Sequence, residues 1–430
     1  MRSKNSFSAG KPTFVIFTAL LLAFAIVPTQ AGAQTFKVLH TFHGRDGASP
    51  EGLLVRDAAG NLYGTTIGGG TGKCSKFGCG TAIKLTKVGR QVWLHSFQGG
   101  NGYDPVAGLL RDAAGGLYGT TGFGGKVTNA CGGVQAGGCG VAFKLDKTGK
   151  ETVLHRFAGP PGGYAPYGLL ARDGAGDLYG ITAYGGADLQ GTVFGIDAAG
   201  TETTLHSFAG PPEGGGDGSG PEGGVVRDAS GNLYGVTFSG GAYGAGSVYE
   251  VDSRGNETLL YSFNGSSDGA QPSSALLLDP QGNLYGTTQN GGNGECGGTG
   301  CGVVFELSPQ SGGGWSEKLL YVFCSLSGCI DGEEPGVGPL VRDSAGNLYG
   351  TTYFGGTSGE GVVFKLDTTG KETVLHSFTG GADGANPVVG LAIDRSGNLY
   401  GTTQAGGASC FTRYTCGVVF KVAGPPLRSL

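Results

Sequence analysis

A seven-residue string that recurs along the chain constrains its fold more than any other feature. Gly-Asn-Leu-Tyr-Gly-Thr-Thr occupies residues 60–66 of the 430-residue sequence, and variants of it follow six more times. Self-similarity at such a period predicts an array of equivalent supersecondary units. The tyrosines of the seven copies are Tyr63, Tyr118, Tyr179, Tyr234, Tyr285, Tyr349 and Tyr400.

Each copy belongs to a longer unit with four strand-like segments, which we call A to D. Strand A is clearest at residues 52–57, strand B is the Leu-Tyr-Gly-Thr-Thr segment, and strands C and D are clearest at 362–366 and 373–378. All four are short, rich in β-branched and aromatic residues, and bounded by turn residues. An Asp-x-x-Gly turn joins A to B, because Asp bonds its own following backbone and Gly accepts a positive φ. Four antiparallel strands per repeat are typical of a β-propeller blade.

The two ends of the repeat region predict a closed ring. Residues 37–42 match strand D with no A, B or C before them, and residues 417–422 match strand C with no D after them. Each of the four strand types therefore occurs seven times. The sequence predicts an all-β, seven-bladed β-propeller with four antiparallel strands per blade, closed by the N-terminal strand completing the last blade.

Composition excludes several classes of protein. The chain has 92 Gly and 18 Pro, yet 38% of its residues are hydrophobic, enough for a core. Such a periodic chain is not a disordered protein, a coiled coil, a collagen or a helical bundle. The formal net charge of -5, with 28 basic against 33 acidic residues, lacks the basic footprint of a nucleic-acid binder.

The first 33 residues are predicted to be a signal peptide. Arg2, Lys4 and Lys11 precede an apolar run from Phe14 to Val27, and Ala-Gly-Ala at 31–33 supplies a cleavage pattern. The propeller should therefore occupy residues 34–430 of an exported monomer, periplasmic or extracellular, without a membrane span. Neither a lipid anchor nor a C-terminal sorting segment is expected.

Ten cysteines in an exported chain are expected to be oxidised. Proximity in sequence predicts five local pairs, four between strands B and C and one between a strand D and the next strand A. Zinc is the alternative, since Cys-x4-Cys is near ligand spacing, but the pairs belong to different blades and lack nearby histidines. The predicted pairs are Cys74/Cys79, Cys131/Cys139, Cys296/Cys301, Cys324/Cys329 and Cys410/Cys416.

The unit resembles the GloVer-type tandem repeat of exported bacterial proteins. The resemblance rests on Gly-Asn-Leu-Tyr-Gly-Thr-Thr-x-x-Gly-Gly, Gly-Val-Val-Phe-Lys-Leu and Val-Leu-His-Ser-Phe, and covers residues 34–422. It implies no established reaction and supplies no catalytic residues. Members often carry a C-terminal surface anchor, and none is expected here. The blade pattern is similar, more loosely, to NHL and lactonase-like propellers.

Two sets of polar residues have structural explanations. Five histidines share one strand-D position with two tyrosines, which indicates a polar packing residue; they are His40, His95, His155, His206 and His376. An Asp-Gly-x-x-Pro motif recurs before strand A at Asp46, Asp217, Asp268, Asp331 and Asp383. Tight turns account for these aspartates, and calcium is the alternative, although the full Asp-x-Asp-x-Asp-Gly spacing is missing. No other metal or cofactor is predicted.

The candidate ligand-binding residues come where the regular repeat varies, just after strand B. Aromatic rings and amides at these positions suit stacking on, and hydrogen bonding to, a sugar or a peptide. The alternative is that they only fill the loops. The candidates are Phe123, Tyr184, Phe238, Gln289, Asn290, Tyr353, Phe354 and Gln404, with Tyr103, Tyr164, Tyr243 and Tyr414 adding aromatic surface and Glu295, Glu333, Glu334 and Glu360 adding carboxylates.

These observations predict a non-enzymatic binding propeller for an extracellular glycan or a surface protein. Two alternatives stay open. One is an enzyme acting on a polysaccharide or a lactone at the channel mouth, which histidines or paired carboxylates lining the channel would favour. The other is a purely structural envelope protein without a preferred ligand.

Overall fold

The propeller is the part of the chain that the structure describes. This computed structural model describes Met1 and residues 34–125, 131, 137–211, 216–292, 296–411 and 414–424. The chain divides into Met1–Ala33 and Gln34–Leu430. Apart from Met1, the predicted signal peptide lies outside the described residues. Within the described residues, no helix is long and apolar enough to cross a membrane.

Seven antiparallel sheets form the seven blades of a β-propeller, as predicted. The first strand, β1 (Phe36–Thr41), belongs to the last blade. Blade 1 contains β2 (Val55–Arg56), β3 (Leu62–Thr66), β4 (Thr81–Leu85) and β5 (Gln91–Ser96), and blade 2 contains β6 (Leu110–Arg111), β7 (Leu117–Thr121), β8 (Val141–Leu145) and β9 (Glu151–Arg156). Blade 3 contains β11 (Ala171–Arg172), β12 (Leu178–Thr182), β14 (Thr192–Ile196) and β15 (Glu202–Ser207), with β10 (Gly163–Tyr164) and β13 (Tyr184–Gly185) as a separate ribbon.

The remaining blades keep this order with small additions. Blade 4 contains β16 (Gly216–Arg227), β17 (Leu233–Gly241), β18 (Ser247–Val251) and β19 (Glu257–Ser262). In blades 5 and 6, strand A is split into two short strands. Blade 5 contains β20 (Ala270–Pro272), β21 (Leu277–Leu278), β22 (Leu284–Asn290), β23 (Val303–Pro309) and β24 (Trp315–Val322). Blade 6 contains β25 (Glu333–Pro335), β26 (Val341–Arg342), β27 (Leu348–Phe354), β28 (Val362–Leu366) and β29 (Glu372–Ser377). Blade 7 contains β30 (Ala392–Ile393), β31 (Leu399–Thr403), β34 (Val418–Val422) and β1, with β32 (Ser409–Phe411) and β33 (Tyr414–Thr415) as a ribbon. Short 3-10 helices span Cys296–Gly298 and Ser327–Cys329 in the described part of the chain.

The Asp-x-x-Gly turns form as predicted and also anchor the repeated tyrosine. In blade 1, Asp57 accepts hydrogen bonds from the backbone N–H of Asn61 at 2.8 Å and from the Tyr63 hydroxyl at 3.0 Å. Gly60 has a φ of +87°, which a residue with a Cβ rarely adopts. The equivalent tyrosine bonds its strand-A aspartate in all seven blades. These aspartates therefore have a structural role in the hairpin.

Adjacent blades are joined by contacts that repeat around the ring. The guanidinium of Arg111 in blade 2 lies 5.9 Å from the ring centre of Tyr63 in blade 1. Arg56 in blade 1 lies 5.7 Å from the ring centre of Tyr400 in blade 7. Such cation–π contacts stabilise a junction by ~0.5–1 kcal/mol at exposed sites. The second contact joins the first blade to the last.

Aromatic packing in the core corrects one interpretation of the sequence. The glycine in the middle of strand B, Gly64 in the first repeat, predicts from the sequence that an aromatic ring from an adjacent blade lies on the bare backbone there. In blade 2, Gly119 instead faces Phe143 of the neighbouring strand in its own blade, 2.8 Å from where a Cβ would lie. Contact between blades comes from the end of strand D, where Phe97 of blade 1 packs edge-on against Phe143 at 5.1 Å.

The two polar motifs found in the sequence are partners on the outer strands. His206 contacts Asp217 at 2.8 Å and His376 contacts Asp383 at 3.1 Å. Where tyrosine replaces histidine, the Tyr321 hydroxyl donates to Asp331 at 2.8 Å. A strand-D residue and the following loop thus hold one another, which explains why His and Tyr interchange at this position.

Replacing Asp331 with Ala should destabilise the propeller measurably. This carboxylate is fully buried and also accepts hydrogen bonds from the backbone and hydroxyl of Ser325 and from the backbone of Leu326. Its removal takes the acceptor from the Tyr321 hydroxyl and from these backbone N–H groups, so we expect a loss of ~2–4 kcal/mol in the free energy of unfolding, measured in urea. The exposed Asp188 is the control. Equal losses in Asp331→Ala and Asp188→Ala would contradict the assignment.

Candidate functional site

The connections between strands B and C and between strands D and A emerge on one face of the ring, which we call the mouth face. The structure contains four of the predicted disulfides there, Cys74–Cys79, Cys131–Cys139, Cys296–Cys301 and Cys324–Cys329. Cys416 is also disulfide-bonded, and the side chain of its predicted partner, Cys410, lies outside the described residues. The disulfides close short loops on the face that carries the candidate ligand-binding residues.

A proline-centred turn before strand A repeats around the mouth face. The residue before each proline has a positive φ, although proline biases the preceding residue towards extended backbone. These residues are Ser49, Asp104, Ala165, Gly220, Gln271, Glu334 and Asn386. Hydrogen bonds hold the turn, as when the backbone N–H of Asp104 donates to Cys79 of the preceding blade at 3.2 Å and Gly122 donates to the carbonyl of Asp104 at 2.9 Å. In six of the seven blades the residue after this proline lines the axial cavity described next.

An axial cavity lies inside this ring of turns. Its volume is about 400 Å³, and residues of all seven blades line it, so it must lie on the propeller axis. Most of its wall is apolar, from Leu53, Val106, Leu169 and Val388 among others. A largely apolar pocket with a few converging polar groups is the usual form of a small-molecule site.

Three carboxyl groups line the cavity, and their surroundings favour the protonated form. Burial raises the pKa of Glu222 to about 7. Burial together with the nearby charge of Glu51 raises the pKa of Asp104 to about 7. Burial likewise raises the pKa of Glu51, against the opposing effect of a hydrogen bond from Gln404. Among the described lining residues there is no Lys, Arg or His to compensate these carboxylates.

Two predicted site residues connect directly to this cavity. The Tyr353 hydroxyl donates to the side-chain oxygen of Gln404 at 2.9 Å, and the Gln404 amide donates to Glu51 at 2.6 Å. The chain spans blades 6, 7 and 1. Residues placed after strand B therefore orient a carboxyl group at the cavity.

Aromatic side chains extend the mouth on the side of blades 2 and 3. Phe123 stacks on Tyr103 with ring centres 5.3 Å apart and meets Tyr167 edge-on at 6.1 Å. Tyr184 stacks on Tyr164 at 5.3 Å and is 50% exposed. Tyr167 itself lines the cavity, and burial with the nearby charge of Asp104 raises its pKa.

The other candidates lie around the same face without converging as closely. The Asn290 amide donates to the side chain of Gln271, one of the residues before proline. Phe354 is 38% exposed, meets Tyr353 edge-on at 4.5 Å and lies opposite Glu333 in the sheet. Phe238 is half-buried within β17, Gln289 is half-buried near the end of β22, and Tyr243 is exposed. Glu295 and the side chain of Tyr414 lie outside the described residues.

The groups that line the axial cavity were not predicted from the sequence. Glu51, Asp104, Glu222 and Tyr167 were not among the candidates, whereas three carboxylates that were, Glu333, Glu334 and Glu360, do not line the cavity. The sequence did contain one signal for these groups. The residues beside the proline before strand A vary among acidic, aromatic and apolar types from blade to blade. Its meaning depended on the geometry of the turn.

Seven four-stranded blades around an axial cavity define a β-propeller with an acidic, aromatic-rimmed mouth. The profile of the Gloeobacter/Verrucomicrobia repeat matches residues 23–215, 127–338 and 212–420. The chain therefore belongs to this repeat family, which agrees with the resemblance derived from its motifs.

Solved structures resemble the chain at the level of fold. The extracellular domain of a one-component system from B. thetaiotaomicron matches with a TM-score of 0.51 and 13% identity over 91% of this chain and 42% of that one. A protein from Lactobacillus plantarum matches with a TM-score of 0.49 and 16% identity, over 80% and 89% of the two chains. A gluconolactonase from Xanthomonas campestris matches with a TM-score of 0.39 and 14% identity, over 66% and 79%. No curated protein matches the chain in sequence.

Proposed function

We propose that this chain is an exported binding propeller that takes a carbohydrate, free or on a surface partner, at its mouth face. The observation that carries the proposal is the axial cavity, in which three carboxyl groups meet apolar walls beside stacked tyrosines. Aromatic rings supply flat apolar surface for the C–H faces of a sugar, and carboxyl groups hydrogen-bond its hydroxyls.

The charge of the cavity narrows the class of sugar. Glu51, Asp104 and Glu222 have no basic residue among the described lining, so a uronate would add negative charge to an acidic, partly desolvated site. A neutral sugar avoids that repulsion, and an amino sugar gains attraction to any carboxylate that is ionised. We therefore expect glucosamine oligomers to bind best, N-acetylglucosamine oligomers next and polygalacturonate least.

Binding of this series to the mature chain, residues 34–430, is the direct test. Calorimetric titration with and without calcium should give the order above, and Tyr184→Ala should weaken binding about tenfold, because it removes an exposed stacking ring worth ~1.4 kcal/mol. Leu259→Ala is the control, since Leu259 is a similarly exposed apolar residue on the outer strand β19. Equal effects of the two variants would argue against binding at the mouth. If no glycan binds, a protein partner or the purely structural role is favoured instead.

An enzyme acting on a polysaccharide or a lactone is the second candidate. The observation in its favour is that Asp104 and Glu222, whose pKa values are raised to about 7, line the cavity beside Glu51. A carboxyl group that is protonated near neutral pH is able to serve as a general acid. Mass spectrometry of the same ligand mixtures distinguishes the candidates, since products that disappear in Asp104→Asn would establish catalysis.

Export through cleavage of the first 33 residues remains part of the proposal. Four disulfides agree with an oxidising, extracytoplasmic location. The intact mass of protein recovered from the periplasm or medium should equal that of a chain that begins at Gln34. A full-length mass would contradict cleavage.

A further inference from the structure

Two of the disulfides meet at the junction of blades 5 and 6. Cys296–Cys301 lies between strands B and C of blade 5, and Cys324–Cys329 lies in the loop that leads from β24 to blade 6. The four sulfur atoms all lie within 4.8 Å of one another. Zinc was disfavoured in the sequence because the pairs belong to different blades and lack nearby histidines. The fold brings two of the pairs together, and four thiolates bind zinc without histidine.

Contacts other than the disulfides hold the two loops together. The backbone N–H of Phe323 donates to Gly302 at 3.1 Å, and that of Glu334 donates to Cys301 at 3.0 Å. Cys301 is fully buried in a cluster with Phe323 and Phe364, against which Cys296 and Cys324 pack. The backbone around the sulfurs is therefore fixed by hydrogen bonds and packing that reduction does not break.

We propose that these four cysteines, when reduced, form a tetrathiolate site for a thiophilic divalent metal such as Zn²⁺. In a tetrahedral site with Zn–S bonds of ~2.3 Å the sulfurs are ~3.8 Å apart, a separation compatible with the cluster. Thiolates are soft ligands that select Zn²⁺ over the harder Ca²⁺ or Mg²⁺. The site is separate from the axial cavity and does not depend on the glycan proposal.

The chemistry balances as a two-step exchange. A dithiol reductant gives two electrons and two protons to each disulfide and becomes a disulfide itself, which leaves four thiols. Zn²⁺ then binds the four sulfurs as thiolates and releases their four protons. Reoxidation needs two equivalents of a disulfide oxidant. Each equivalent takes up two electrons and two protons and becomes a dithiol, which restores both protein disulfides and expels the metal. Within the described residues no other group of three or more cysteine, histidine or acidic side chains has this geometry.

Cobalt binding by the reduced mature protein tests this site. The chain is reduced with a phosphine, freed of the reagent without oxygen, and titrated with Co²⁺. We expect one Co²⁺ per chain with the visible d–d and sulfur-to-cobalt charge-transfer bands of a tetrahedral tetrathiolate, displaced by one Zn²⁺. Cys74→Ser/Cys79→Ser, which removes a disulfide elsewhere on the mouth face, should keep the spectrum, and Cys324→Ser/Cys329→Ser should lose it.

Two controls establish whether the reduced chain is folded and whether these four cysteines alone bind the metal. Near-ultraviolet circular dichroism reports whether the reduced chain remains folded. A variant with Ser at the six other cysteines, which retains only this cluster, should still bind one metal. No tetrathiolate spectrum in a folded reduced chain, an unchanged spectrum in Cys324→Ser/Cys329→Ser, or a reduced chain that stays unfolded in Zn²⁺ would each overturn the proposal.

Discussion

A propeller lacking residues 37–42 should melt at least about 10 °C below the intact chain, because the deletion removes the outer strand of blade 7. Strand β1 pairs with β34 from Phe36 opposite Val422 to Thr41 opposite Val418. Phe42, at the end of this segment, is fully buried, and losing such a side chain alone costs ~3–5 kcal/mol. Circular dichroism during heating would measure the effect.

Point variants separate the loss of core packing from a general effect of shortening the chain. Phe42→Ala should lower the melting temperature by part of the deletion's effect, whereas Lys37→Ala, at an exposed position on the same strand, should leave it nearly unchanged. An unchanged melting temperature in the deletion would sink the closure hypothesis. It would mean that blade 7 holds without a strand from the other end of the chain.

The second large expectation is that the propeller gains stability as the pH falls from 8 towards 5. Burial raises the pKa of Asp104, Glu222, Glu257 and Glu372 to about 7. In the unfolded chain these groups titrate near 4, so the folded state binds more protons through this window. Their stabilising contribution is complete below about pH 4 and is lost as the pH rises through 7. We expect a melting temperature ~3–6 °C higher at pH 5 than at pH 8.

Groups whose pKa is lowered in the folded state oppose this gain in stability or limit the pH range over which it occurs. His376, whose pKa is lowered by burial, opposes the gain as it becomes protonated. Turn aspartates such as Asp343 have lowered pKa values, so the stability they contribute is lost only at more acid pH, as the pH falls through their folded values. Glu222→Gln should flatten the profile between pH 5 and 8, and the exposed control Asp188→Asn should not. A melting temperature that is highest at pH 8 would contradict the buried, protonated carboxyl groups.

Much of the fold could be predicted because the information is local. Asp57, Gly60 and Tyr63 lie within one hairpin, and their turn chemistry needs no distant partner. Cys74 and Cys79 are close in sequence, so their pairing was also accessible. Counting strands A to D predicted seven blades for the same reason. Each repeat contains the residues that specify its own strands, and the number of repeats sets the number of blades.

The candidate site was harder to predict because its parts are far apart in sequence. Gln404 and Glu51 are in contact across the junction of blades 7 and 1, although 353 positions separate them. Asp104 reaches the cavity because the backbone before the proline is left-handed, and an aspartate at this position does not by itself predict that conformation. The aromatic candidates were chosen because they vary within a fixed repeat, and their role in binding stays a prediction. The axial carboxyl groups could not be predicted, since their relation to the axis is a property of the whole ring.

Short-range chemistry in the sequence was thus sufficient for blade number, strand order, hairpin turns and local disulfides. The convergence of Glu51, Asp104 and Glu222 on one cavity, and of Cys301 with Cys324, arises only when the blades close around an axis. The physical reason is that a propeller brings equivalent positions of successive repeats together at its centre and at its blade junctions. Strand patterns and turn residues specify each blade. The burial and raised pKa values of the axial carboxyl groups, and the proximity of four cysteine sulfurs, arise only where blades pack against one another.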